Sequence, residues 1–196
     1  GPGRAHGGGM CNSSGKPVIS HCSFSGNRTA IAYSSGGGMC NAEKSEAVVT
    51  YCTFSKNEAI KGYGGGMYNK GTSRPTIAYC TFSENDAGDR STPTVSCCVF
   101  SGNKANGDNG KGGGMFNQGR SEPTVVNCTF SGNSAEEGEA PYGGLGGGVY
   151  NKENSNPAIV NCTFFGNRVS GKGGGGGIYN GERSSPSVIN CILWNN

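Results

Sequence analysis

A six-residue pattern, Cys-x-Phe-x-x-Asn, returns seven times along the 196 residues of this chain, with Leu193 replacing Phe in the last copy. The cysteines of this pattern form one column of the repeat: Cys22, Cys52, Cys80, Cys98, Cys128, Cys162 and Cys191. A second phrase, Gly-Gly-Gly-Φ-x-Asn with Met, Val or Ile at Φ, alternates with it six times, from 7–12 to 175–180. Repeats that return every 28 to 34 residues, with one of 18, indicate a solenoid, in which each unit buries its apolar face by stacking on its neighbours.

Each repeat predicts three short β-strands. Val or Ile always stands three residues before the column cysteine, and Pro stands five residues before it in every copy but one, which is typical of a strand that begins after a turn. In the two phrases, period-two alternation points Cys, Phe and Φ inward. Because helical periodicity is absent and Gly and Pro are frequent, helices are not expected. We therefore predict an all-β parallel β-helix of about seven coils, three strands per coil, in a single domain spanning 1–196.

Three segments depart from this regular plan. Residues 1–6 form an N-terminal lead-in before the first Gly phrase. The unit from Cys80 to Cys98 lacks a Gly phrase, which predicts a shortened coil at 85–93. The longest unit carries additional residues, which predict a loop insert on the surface at 134–144.

Columns of like residues should fill the interior. We expect a buried stack of six phenylalanines beside a column of mostly reduced cysteines, since free Cys is among the most buried residue types. The phenylalanines are Phe24, Phe54, Phe82, Phe100, Phe130 and Phe164. An Asn follows each column cysteine by five residues, and another closes each Gly phrase. Stacked amides can bond to one another, so these asparagines are interpreted as ladders rather than as sugar or metal ligands.

The bulk composition excludes two classes of partner. The net charge of +3 is low, and the charged residues, 15% of the chain, are too scattered to form the basic surface of a nucleic-acid-binding protein. No run of 18 apolar residues exists, so no membrane span is predicted. We predict no cofactor.

The alternation of Gly-Gly-[Ala/Gly]-Φ with Phe-x-x-Asn resembles the repeats of chlamydial polymorphic outer membrane proteins and related bacterial surface proteins. The resemblance runs from Gly7 to Asn196 and includes thirteen phrase copies. It implies a right-handed β-helix and an extracellular or bacterial cell-surface location. It transfers no activity and no functional residue, and the C-terminal membrane barrel of those proteins has no counterpart here.

Catalytic and metal-binding patterns are weak. Polysaccharide-active β-helix enzymes need acidic groups on one outer face, whereas the carboxylates here lie mostly in turns. Glu58 and either Glu84 or Asp86 could come near each other, but solvated turn charges are the simpler interpretation, and His6 and His21 have no partner cluster. The acidic turns at 84–89 and 106–109 lack the full spacing of a calcium loop. We therefore predict no enzyme and no metal site.

The surface offers three candidate features. Between Φ and Asn, the Gly phrases carry a row that should point outward and could bind a glycan or a partner: Tyr68, Phe116, Tyr150 and Tyr179. Cys11 and Cys40 occupy the same position in the first two phrases and could form a disulfide. Phe165, Ile192 and Trp194 form an outward apolar cluster suited to a partner contact.

These features predict a non-enzymatic extracellular structural or adhesive module that associates with other copies of itself, head to tail, into a filament or surface assembly. The chain starts on the Gly side of a coil and stops after the Cys-Phe side, so copies could follow one another in order. Two alternatives stay open. The first is an ice- or glycan-binding solenoid, which the outward rows of Thr and Ser or the aromatic row would favour. The second, less favoured, is a polysaccharide-active enzyme.

Overall fold

The computed structural model describes residues 7–29, 36–59, 64–69, 73–87, 94–106, 110–118, 122–136 and 143–196. All named elements in these ranges are β-strands, and every pairing between them is parallel. The described part of the chain includes no helix long and apolar enough to cross a membrane. The prediction of a parallel β-helix is confirmed.

Two walls of the β-helix run through all seven rungs. The Pro wall is named for the proline that precedes six of its seven strands. It consists of β2 (Val18–Ser20), β6 (Val48–Thr50), β10 (Thr76–Ala78), β13 (Thr94–Ser96), β17 (Thr124–Val126), β21 (Ala158–Val160) and β25 (Ser187–Ile189). The Phe wall carries the Cys-x-Phe phrase and consists of β3 (Ser23–Ser25), β7 (Thr53–Ser55), β11 (Thr81–Ser83), β14 (Val99–Ser101), β18 (Thr129–Ser131), β22 (Thr163–Phe165) and β26 (Ile192–Trp194).

The Gly wall is interrupted. It consists of two separate three-stranded sheets, β1 (Met10–Gly15), β5 (Met39–Ser45) and β9 (Met67–Asn69), then β16 (Met115–Asn117), β20 (Val149–Asn151) and β24 (Ile178–Asn180). Among the described residues, the shortened coil, which has no Gly phrase, contributes no strand to this wall.

A fourth wall was not predicted. Two-residue strands follow each Phe-x-x-Asn asparagine and form the Ala wall: β4 (Arg28–Thr29), β8 (Glu58–Ala59), β12 (Asp86–Ala87), β15 (Lys104–Ala105), β19 (Ser134–Ala135) and β23 (Arg168–Val169). The prediction of three strands per coil is therefore wrong, since a complete coil has four. Of the seven rungs, five contain all four strands, and the shortened fourth and the last are incomplete. The sequence signal was the small residue two positions after Asn, whose side chain is buried at Ala59, Ala105 and Ala135.

The other predicted segment boundaries also shift. Asp86–Ala87 and Ser134–Ala135 are strands, although they fall within the predicted shortened coil 85–93 and loop insert 134–144. The lead-in 1–6, and most of the insert, lie outside the described residues.

The core consists of the predicted columns. From Phe24 to Phe164, neighbouring phenylalanine rings stack with centroids 4.7–4.9 Å apart and planes within 5°. Phe54, Phe130 and Phe164 are completely buried, while Phe24 in the first coil is only half-buried. The Val and Ile column of the Pro wall packs against these rings. The predicted phenylalanine stack is confirmed.

Candidate functional site

Two asparagine ladders run along the inside of the coils. In the first, the asparagines of the Phe-x-x-Asn pattern bond in one unbroken series: Asn27, Asn57, Asn85, Asn103, Asn133, Asn167 and Asn196. Each side-chain amide from Asn27 to Asn167 donates to the Oδ1 atom of the equivalent asparagine in the next coil, at 2.8–3.0 Å. Most of these amides also donate to the backbone carbonyl of the phenylalanine in the preceding coil. The interpretation of these asparagines as a structural ladder is confirmed.

The second ladder is broken where the Gly wall is broken. Asn12 donates to Asn41 and Asn41 to Asn69, each at 2.8 Å. On the other side of the gap, Asn117 donates to Asn151 and Asn151 to Asn180, again at 2.8 Å. The buried Nδ2 of Asn69 and the buried Oδ1 of Asn117 have no hydrogen-bond partner among the described residues.

The column cysteines form a ladder of reduced thiols. In the middle coils, each backbone N–H donates to the Sγ atom of the next coil, as from Cys52 to Cys80 at 3.4 Å. The Cys52 thiol donates in turn to the Thr50 carbonyl at 3.2 Å, and burial raises the pKa of this thiol. The thiols of the middle coils are buried and closed to solvent reagents. The column is therefore interpreted as a packing feature, with exposed Cys22 and half-buried Cys191 at its ends.

Cys11 and Cys40 lie opposite each other in paired strands, which is the arrangement that the disulfide prediction needs. Neither residue is in a disulfide in this structure; Cys11 is exposed and Cys40 is buried. The bridge is not formed here, so it stays a prediction for oxidising conditions.

The aromatic row of the Gly wall is buried, contrary to expectation. Tyr68, Phe116 and Tyr150 are each less than 9% exposed, and Tyr179 is half-buried. Phe116 stacks on Tyr150 at 5.0 Å. These side chains also lie against the glycine backbone of their own phrase: a Cβ atom at Gly146 would be 2.8 Å from the Cβ atom of Tyr150. The prediction of a solvent-facing glycan platform at these residues is therefore wrong.

An exposed aromatic stack lies elsewhere, in the residue just before each column cysteine. His21 stacks on Tyr51 and Tyr51 on Tyr79, with centroids 5.0 Å apart, and both tyrosines are more than half exposed. All residues of this column have positive φ angles near 50°, because the chain bends there between the Pro and Phe walls. Later coils place Cys97 and asparagines in this column. This stack was not predicted, although aromatic residues at the same repeat position in three consecutive coils could have indicated it.

The predicted apolar cluster is exposed as expected. Phe165, Ile192 and Trp194 are 41%, 63% and 66% exposed, and the rings of Phe165 and Trp194 stack at 5.0 Å. Ile189, which was not predicted, adds another half-exposed apolar side chain at the end of the Pro wall. Phe165, Ile192 and Trp194 lie on the Phe wall of the last two coils and are called the apolar patch, while Ile189 lies on the neighbouring Pro wall.

Two exposed ion pairs lie on or beside the Ala wall. Arg28 pairs with Glu58 at 2.9 Å, and Lys104 pairs with Glu136 at 2.6 Å. Glu58 and Asp86 are register neighbours, as expected, and Asp86 lies next to Lys104. No group of three or more His, Cys, Asp or Glu side chains able to hold a metal occurs among the described residues. Most of the acidic turn at 106–109 and part of the one at 84–89 lie outside the described residues.

Comparison with known proteins identifies the fold family. Searches of curated proteins and of solved structures give no match. A family described as a right handed beta helix region matches residues 4–110 and 87–196, which together cover nearly the whole chain. This match agrees with the four walls, the parallel pairing and the inward columns, and the chain therefore belongs to the right-handed β-helix family.

Proposed function

We propose that this chain is a non-enzymatic structural or adhesive module of an extracellular or bacterial cell-surface assembly, and that its copies associate head to tail. The single observation that carries the proposal is the apolar patch of Phe165, Ile192 and Trp194. Soluble monomers rarely expose contiguous apolar surface of this kind, and such patches mark sites of protein contact.

The columns of the first and last coils are compatible with continued stacking. Met10, Ile19 and Phe24 of the first coil occupy the same columns as Ile178, Val188 and Leu193 of the last, and Val188 and Leu193 are half-exposed. Any coil of the same pattern stacked beyond the last one would bury these side chains in register, and in the proposal another copy supplies it. Such a heterologous contact does not close and extends into a filament.

The exposed stack of His21, Tyr51 and Tyr79 supports the adhesive part of the proposal. Tyrosine offers a large contact area and a hydroxyl group at low entropic cost, and it is enriched in interfaces. The resemblance to chlamydial polymorphic outer membrane proteins adds the surface location to the proposal.

Self-association is tested by sedimentation velocity over a range of concentrations and by negative-stain electron microscopy. We expect concentration-dependent oligomers and filaments, which the double change Phe165→Ser and Trp194→Ser reduces. A matched control, Val99→Ser, removes another exposed apolar side chain, 39% exposed on the Phe wall of the middle coil and away from both ends, and tests whether the effect is specific to the patch. Wild-type protein that stays monomeric at high concentration would refute the filament.

The ice-binding alternative depends on the outer face of the Phe wall. Its paired Thr and Ser positions form regular ranks, as in Thr53, Thr81 and Ser55, Ser83, but Val99 interrupts the Thr rank. Thermal hysteresis of a purified sample measures this activity directly. If thermal hysteresis is observed, the outer face of the Phe wall is assigned to ice binding instead of adhesion.

A further inference from the structure

The outer face of the Pro wall carries no charged side chain. In most strands of this wall the middle residue is buried, so the first and third residues point outward. These outward positions hold only Val, Ile, Ala, Ser and Thr, and all 16 Lys and Arg and all 13 Asp and Glu residues lie elsewhere in the chain. Since about 25–35% of the residues on a well-solvated surface are charged, this composition is unusual for a face that meets only water.

The same face is accessible to a partner along its length. Val18, Val48 and Ile189 are 74%, 36% and 50% exposed, and Thr76 and Thr124 are exposed as well. The chain that leads from this wall to the Phe wall is described in all seven coils, so no undescribed segment enters the turn between them. The outer face of the Pro wall is therefore a solvent-facing sheet surface.

The face is also flat and regular. The seven strands pair in register without a shift. The phenylalanine rings behind them stack with planes within 5° of each other, which shows that successive coils rotate very little. The outward side chains thus form straight rows with a spacing of about 4.8 Å.

The two long edges of the face differ from its centre. Along one edge, the turn before the wall carries charged residues, among them Lys16 and Glu46, which form an ion pair at 2.5 Å, and the exposed Arg74. Along the other edge lie the exposed rings of Tyr51 and Tyr79. Protein interfaces have this arrangement, since charged residues are depleted from their centre, polar residues form the rim and tyrosine is enriched.

We propose that the outer face of the Pro wall is a lateral interface between two copies of this chain, which pack side by side with their Pro walls facing each other. An uncharged face matches an uncharged face without leaving a buried charge unpaired. Small side chains let two sheets pack at the usual distance of about 10 Å. A second copy also presents rows with the same spacing, so the rows interdigitate over the whole wall. This contact is separate from the proposed head-to-tail contact.

The area of the face is sufficient for a weak dimer. Seven strands give a length of about 34 Å, and the five residues from the proline to the corner, as from Pro75 to Tyr79, give a width of about 16 Å. Each copy therefore contributes about 550 Å², and the pair buries about 1,100 Å², near the lower limit of specific interfaces. We expect pairing at high protein concentration.

The shape of the dimer distinguishes lateral from head-to-tail association. The double change Phe165→Ser and Trp194→Ser weakens the proposed head-to-tail contact and leaves the Pro wall unchanged. We expect this variant to form dimers at high concentration, as sedimentation equilibrium measures. Small-angle X-ray scattering should give a dimer about as long as the monomer, whereas a head-to-tail dimer would be about twice as long.

Charges placed on the face test the contact itself. The double change Thr76→Lys and Thr124→Lys brings four lysines together when two copies pair, and like charges in an interface are unfavourable. We expect the dissociation constant of the dimer to rise at least tenfold. The matched control, Thr53→Lys and Thr129→Lys, adds the same charge to the outer face of the Phe wall and should change the constant less than twofold. Circular dichroism checks that both variants are folded.

A second measurement needs no variant. Hydroxyl-radical footprinting with mass spectrometry should show Val48 and Val160 of the Pro wall protected at high concentration, while Val99 of the Phe wall stays equally reactive. Absence of dimers at millimolar concentration, equal weakening by both lysine pairs, or unchanged reactivity of Val48 and Val160 would overturn the lateral interface. Filaments without lateral pairs refute this proposal alone, and lateral pairs without filaments refute only the head-to-tail proposal.

Discussion

Asn133 offers the sharpest test of how the continuous asparagine ladder stabilises the fold. Its side chain is completely buried and fully hydrogen-bonded. The Nδ2 atom donates to Asn167 Oδ1 at 2.9 Å and to the Phe100 carbonyl at 3.0 Å. Its Oδ1 atom accepts from the backbone and side-chain N–H groups of Asn103, at 3.0 and 2.9 Å.

The change Asn133→Ala removes all four bonds. The Asn103 backbone N–H loses its acceptor and the Asn103 side-chain amide keeps only its bond to the Phe82 carbonyl, whereas Asn167 Oδ1 keeps the N–H of residue 133. Since each intramolecular hydrogen bond contributes about 0.5–1.5 kcal/mol net, we expect a loss of about 2–6 kcal/mol in the free energy of unfolding.

Urea-induced unfolding followed by far-ultraviolet circular dichroism measures the effect. The matched control is Ser131→Ala, an outward position two residues earlier, where we expect a change within about 0.5 kcal/mol. A loss below about 1 kcal/mol for Asn133→Ala would refute the assignment of the ladder as a main source of stability.

The change Asn133→Asp adds a pH dependence with a defined sign. A carboxylate there would face the Phe100 carbonyl and the Asn167 Oδ1 atom without a proton to donate, so its pKa in the folded protein is raised above the unfolded value of about 3.9. The folded state then binds the extra proton, and stability is highest below about pH 3.9 and falls as pH rises toward the folded pKa. A variant whose stability is independent of pH between 3 and 7, relative to wild type, would contradict this.

Three further changes test the columns. Phe100→Ala should lower the free energy of unfolding by about 3–5 kcal/mol through lost burial and a cavity between Phe82 and Phe130, measured by the same urea unfolding; a loss under about 1.5 kcal/mol would contradict a packed stack. Cys52 should resist iodoacetamide at pH 8 in the folded protein and react only after denaturation, as peptide mapping by mass spectrometry shows. Under oxidising conditions, Cys11 and Cys40 should form a disulfide that the same mapping detects, and equal alkylation of both with and without reductant would count against it.

Much of the interior could be predicted from the sequence because one repeat position corresponds to one column. The inward orientation of Phe, Cys and the β-branched residues follows from strand periodicity, and stacking makes each column uniform. The Ala wall escaped prediction because two-residue strands are too short to show alternation. The candidate partner cluster at Phe165, Ile192 and Trp194 was predictable because its positions are outward in every other coil.

The sequence by itself determined the repeat, the solenoid class and the residues of the core columns, since the local pleat sets which side chains point inward. Only the tertiary structure decided which outward residues reach solvent. Tyr150 is covered and Tyr79 is exposed, although both lie in outward columns, because exposure depends on what neighbouring coils and turns place over a side chain. The structure also decided what the missing phrase leaves behind: among the described residues, the ladder of the Gly wall stops at Asn69 and resumes at Asn117, and each of these amides has one atom without a hydrogen-bond partner.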